Sequence, residues 1–137
     1  MANGGWYGSF EEWERVEAPL IAVDPVFENF ALETGCTVSR NQKSWPERSI
    51  RWENATSNLI QLYLADEEAL TWHLWIAASQ DRDLERYWKQ ARLVDNQPLS
   101  GFRGQLPRLL VHAHEVISGW SQQPECLDLA GPIEPLV

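Results

Sequence analysis

Cysteine is scarce in this 137-residue chain, which has only Cys36 and Cys126. Small secreted scaffolds stapled by disulfides carry many more per residue, so a disulfide framework is excluded. Neither cysteine has a second Cys or a His at metal-ligand spacing, and no metal is expected. Basic charge is short as well: 11 Lys+Arg face 20 Asp+Glu, for a formal net charge of -9. That balance repels nucleic acid and anionic membranes, so neither is expected as a partner. No apolar run reaches the roughly 18–20 residues that a bilayer span requires. The opening Met1-Ala2-Asn3-Gly4-Gly5-Trp6 offers neither a basic residue nor an apolar run. No secretory signal is read there, and the expected location is cytoplasmic.

Catalytic and cofactor signatures are missing too. Gly101-Phe102-Arg103-Gly104 has neither the spacing nor the lysine of a phosphate-binding loop. Asp81-x-Asp83-x-Glu85 begins like a calcium loop, but Arg86 stands at the sixth position and Arg92 at the twelfth. His112 and His114 are two apart on an expected helix, so they point to different faces and cannot share one ion. Cys36 lacks the glycine turn and flanking pattern of a cysteine nucleophile and reads as an inert thiol. Glu11-Glu12-x-Glu14 and Asp66-Glu67-Glu68 fall at a helix start and a turn, in solvent, where acid–base work is not done. No catalytic residue and no cofactor is expected.

What is present is a folded domain. Hydrophobic residues make up 44% and charged residues 23%, the proportions of a globular chain. Residues 1–121 read as a single α+β domain, and 122–137, with Pro124, Pro132 and Pro135, as an extended tail. Charge is banded: residues 1–39 carry -6 and 53–81 carry -5, whereas 40–52 and 82–108 each carry +3.

The N-terminal third reads as two helices. Ser9 is the expected cap of the first, which Pro19 limits; Asp24 and Pro25 are the cap and first position of the second, and Gly35 ends it. From Cys36 the period changes to two, giving short strands at 36–41, 48–53, 58–65 and 69–79. Residues 81–94 fit either period. A fifth strand is favoured, entered by Asp81-Arg82-Asp83 and left at Asn96-Gln97-Pro98. Leu106, Leu109, Leu110, Ala113, Ile117 and Trp120 recur at steps of three and four, a helix laid on a sheet. Pro107 is tolerated only in its first turn, so the start is placed near Gly104. The expected architecture is therefore a two-layer α+β domain: N-terminal helices, an antiparallel meander sheet of four or five strands, and a C-terminal helix.

Eight tryptophans make aromatic surface the conspicuous surplus. Strand alternation puts Ile60, Leu62, Leu64, Leu70, Trp72, Leu74 and Ile76 on one sheet face. The opposite face carries Gln61, Tyr63, Thr71, His73 and Trp75, joined by Arg86, Trp88, Gln90 and Arg92 from the fifth strand. Tyr, Trp and Arg dominate binding hot spots because each joins large area to a directional polar group. Tyr63, His73, Trp75, Arg86, Trp88 and Arg92 are thus the candidate partner-binding residues. The alternative is that the N-terminal helices cover this face and its tryptophans are core. Trp45 and Arg48, in the turn Trp45-Pro46-Glu47-Arg48, form a weaker candidate contact loop. Their structural alternative has Trp45 folded back over the sheet edge and Arg48 paired with an N-terminal Glu.

Size, acidity and element order are similar in outline to two bacterial groups, toxin-neutralising immunity proteins and type III secretion chaperones. The resemblance carries over no residue and is an analogy; the missing catalytic constellation, the net charge of -9 and the Tyr/Trp/Arg face lead to the expectation of a non-enzymatic, acidic protein-binding module, an inhibitor or chaperone for a basic partner. Two other functions fit the same residues. One is a small-ligand binder or enzyme using a pocket beside His73, Trp75 and Trp88, and the other a structural homodimer.

Overall fold

A computed structural model describes residues 9–41, 45–79, 89–122 and 132–133. Helix α1 spans Phe10–Thr34 and starts where the sequence places its cap. Ser9 is extended, and its Oγ accepts the Glu12 N–H at 3.1 Å, with Glu11 and Glu12 set against the positive end of the helix dipole. Gly35 closes the helix at φ 74°, returning its N–H to the Ala31 carbonyl at 2.8 Å.

The expected break inside this segment does not occur: one helix runs through both Pro19 and Pro25. Each proline forfeits one helical hydrogen bond, to the carbonyls of Arg15 and Ile21, at a cost of roughly 3 kcal/mol or more. Val16, Leu20, Val23, Phe27 and Phe30, all buried, line the inner face at helical spacing. Burying such side chains is worth about 1.5–3 kcal/mol each, which exceeds the loss at the two prolines. Asp24 is not a cap either; its carboxylate is taken by Arg48 across the domain.

Five strands follow as an antiparallel meander: β1 (Thr37–Arg40), β2 (Glu47–Glu53), β3 (Ser57–Asp66), β4 (Thr71–Ser79) and β5 (Lys89–Pro98). Pro132–Ile133 (β6) pairs in parallel with Gln90 and Ala91. Helix α2 (Leu106–Gln122) follows two short 3-10 turns, with Pro107 in its first turn as required. The molecule is therefore α+β, in the order read from the sequence.

The β3–β4 turn lies later than expected, at 67–70. Asp66 Oδ1 accepts the N–H groups of Glu68 and Ala69, at 2.9 and 3.1 Å, and folds the chain there. Leu70 therefore belongs to the turn, at φ 55°, with its side chain packed against the core. Strand β5 runs on through Asn96-Gln97-Pro98, where an exit was expected. It does so because two register shifts against β4, with Asn96 at φ 55°, let pairing resume at Trp72↔Gln97. The expected entry turn and residues 81–88 of the fifth strand lie outside the described residues.

Cross-strand rows build the core. Ile50, Ile60, Ile76 and Ala91 stand opposite one another, as do Leu62, Leu74 and Val94. Both helices pack on this one face, α1 through its apolar seam and α2 through Leu106, Leu109, Leu110, Ala113 and Ile117.

Candidate functional site

The face turned away from both helices is built from the alternate residues of the same strands. Glu47, Tyr63 and His73 form one row, and Ser49, Gln61, Trp75 and Arg92 the next, with Gln90 opposite Ala77 beyond. Gln61, Tyr63, His73, Trp75, Gln90 and Arg92 are all half-buried. Between them Ser49, Leu59 and Ala77 are buried, as is Glu47 at 2% exposure. The face thus offers large side chains at an intermediate depth, over small or sequestered ones.

Cross-strand bonds fix these side chains. Trp75 Nε1 donates to Gln90 Oε1 at 3.1 Å, locking the indole across β4 and β5. The Tyr63 and His73 rings lie 5.2 Å apart at a tilt of 55°. Glu47 accepts from the Ser49 hydroxyl and, at 2.9 Å, from Gln61 Nε2, which satisfies a carboxylate that burial would otherwise penalise.

The irregular stretch of β5 organises His73. Its Nδ1 accepts the Asn96 N–H at 3.0 Å, which assigns the ring proton to Nε2. Asp95 Oδ1 lies 3.3 Å from the same nitrogen and also accepts from Arg92 Nη1 at 3.1 Å. Burial, reinforced by the Arg92 guanidinium and only partly opposed by Asp95, lowers the His73 pKa below its ordinary value. The imidazole is accordingly neutral at pH 7, with its acceptor nitrogen already engaged.

Of the six candidate residues, the structure brings Tyr63, His73, Trp75 and Arg92 onto one face, and neither helix covers them. Arg86 and Trp88 lie outside the described residues. Asp95, Asn96, Ser49 and Glu47 were missed. Extending the two-residue period of β2 back to Glu47 would have found the last two; no local pattern marks the irregularity at Asp95–Asn96.

The contact loop needs correction. Arg48 has a fully buried side chain on the helix side of the sheet, leaving no area for a partner. It does pair with an N-terminal glutamate, Glu17 at 3.9 Å, but its main counter-ion is Asp24, whose two carboxylate oxygens Nε and Nη2 reach at 2.5 and 3.3 Å. Trp45 is half-buried against the core, its Nε1 directed to the Leu64 carbonyl at 3.4 Å, in the folded-back arrangement.

Among the described residues no cluster of three or more His, Cys, Asp or Glu side chains is arranged to hold a metal ion. No described helix is long and apolar enough to cross a membrane. A cleft of about 550 Å³ exists, but it lies on the helix side, lined by Trp72 and not by His73. No family model, curated protein or solved structure matches the chain.

Proposed function

We propose that the protein is a non-enzymatic, acidic protein-binding module that docks a basic polypeptide on the sheet face bearing Tyr63, His73, Trp75 and Arg92, in the manner of an inhibitor or chaperone. The observation that carries this reading is the composition and order of that face. Two aromatic rings, an imidazole and a guanidinium sit side by side: Trp75 is held across the strands by Gln90, Tyr63 and His73 lie ring to ring across β3 and β4, and Arg92 is held by Asp95 of its own strand. Pre-ordered aromatic and Arg side chains lose little conformational freedom on binding, which is why they make effective hot spots.

Charge supplies the sign of the partner. On this face Arg92 is paired with Asp95. Exposed Glu11, Glu12, Glu14, Glu28 and Glu33 along α1 belong to a chain of net charge -9. Such a surface draws in a basic chain and accelerates encounter, an effect that salt screens.

The test is capture on the immobilised protein at about 50 mM and about 300 mM salt, between which the screening length falls about 2.5-fold. A basic polypeptide is expected at low salt. Its affinity should fall at least about 30-fold when Tyr63→Ala and Trp75→Ala are combined, the loss typical of removing a hot-spot pair. Capture that is indifferent to the double variant overturns the docking face. Self-association in sedimentation, abolished by the same double variant and with no other polypeptide bound, makes the protein a homodimer instead.

A further inference from the structure

On the other side of the sheet, and independent of the docking face, the cleft of about 550 Å³ opens between the N-terminal half of α1, the β3–β4 turn and the segment after β5. Its volume lies within the range of small-molecule sites. The apolar wall comes from Pro19, Leu70, Trp72 and Leu99. Every charged residue lining it is an arginine, Arg15 or Arg103, although acidic residues outnumber basic ones in the chain almost two to one.

Both guanidiniums are exposed and available. Arg15 Nη2 donates to the main-chain oxygen of Glu67 at 2.6 Å, which anchors the side chain beside the turn and leaves its other donors open. The Arg103 main-chain oxygen accepts the Leu106 N–H, while its guanidinium has no hydrogen-bond or ion-pair partner among the described residues. Beneath them Trp72 is wholly buried, and its Nε1–H has no acceptor. An orphaned buried donor is rare in native folds and calls for a reason. Taken together, the side chains of this wall are apolar or donate hydrogen bonds, and none is a carboxylate.

We propose that this cleft binds a small carboxylate with an apolar body, an aryl- or alkyl-carboxylate. Arg15 and Arg103 hold the carboxylate, by the planar fork geometry that suits guanidinium to that group. The apolar body lies on Ala18, Pro19, Ala22 and Leu70, above the buried Trp72.

The test is a titration of the full chain with 4-phenylbutyrate, followed by ¹H–¹⁵N NMR at the Trp72 indole N–H. The neutral analogue 4-phenyl-1-butanol serves as control. A saturable shift is expected, with the alcohol at least about tenfold weaker and the combined Arg15→Gln and Arg103→Gln variant weakened by about tenfold or more. Both arginines are exposed, so that variant should retain the fold. Ala22→Phe, which fills the cleft without altering charge, should abolish the shift. The proposal is overturned if no saturation occurs up to about 10 mM, if acid and alcohol bind equally, or if the arginine variant binds like the native chain.

Discussion

Arg48 of β2 and Asp24 of α1 form a two-pronged ion pair inside the domain, the arginine fully buried and the aspartate 9% exposed. Asn41 Oδ1 and the Glu47 carbonyl accept further bonds from Arg48 Nη1, at 2.9 and 3.0 Å, and Arg40 approaches Asp24 at 3.6 Å. This network ties the centre of the long helix to the second strand.

Removing one partner strips the other of its nearest counter-ion, leaving buried Arg48 only Glu17 at 3.9 Å, or Asp24 only Arg40 at 3.6 Å. Asp24→Asn or Arg48→Met alone should destabilise the fold by about 3–5 kcal/mol in urea unfolding. Replacing both together, with Asp24→Leu and Arg48→Met, should recover most of that loss, because an apolar pair avoids desolvating two charges. A double variant as unstable as either single one would show that the pair stabilises beyond what packing can replace.

Pro25 is exposed within α1 and denies the Ile21 carbonyl its helical donor. Pro25→Ala should raise stability by about 1–2 kcal/mol, the helix gain less the added freedom of the unfolded chain. Thermal unfolding followed by circular dichroism measures it. An unchanged or lower midpoint would mean that the proline ring itself is needed at that position.

His73 sets a pH dependence. Its folded pKa is depressed below the ordinary value near 6.5, so the folded state binds fewer protons there than the unfolded chain. The resulting stability is fully present above that ordinary value and is lost as pH falls through the lower, folded one. Protonation at Nδ1 also breaks the bond from Asn96 N–H and sets the ring against Arg92, while Asp95 offers partial compensation. Melting curves between pH 7.5 and 5 should show a decline that His73→Gln reduces, and the imidazole resonance should titrate below its free value. A normal or raised midpoint would contradict this.

The meander was legible because alternation at Ile60, Leu62, Leu64, Trp72, Leu74 and Ile76 is a direct consequence of one face being buried. Ser9 and Gly35 were legible because capping is a local matter of one side-chain oxygen and one left-handed residue. Pro19, Asp24 and Pro25 misled because their local preferences are overridden by the apolar seam of α1 and by Arg48, which lies 24 residues beyond Asp24. Arg48 itself looks like a loop cation until its strand register is known. On the candidate face, Tyr63, His73, Trp75 and Arg92 follow from the period alone. The β5 irregularity that brings Asp95 and Asn96 to His73 is a register effect, with no signature in the residues around it.

The central claim, that the sheet face opposite the helices is where a basic polypeptide docks, is tested most directly by photo-crosslinking in an extract of the source cells at low and high salt. Tyr63→p-benzoylphenylalanine should give an adduct with one basic polypeptide, lost at high salt, whereas the same group at Val111 on the outer side of α2 should give none. Position 63 forming no adduct beyond that of position 111, or joining only to a second copy of the chain, would contradict the claim.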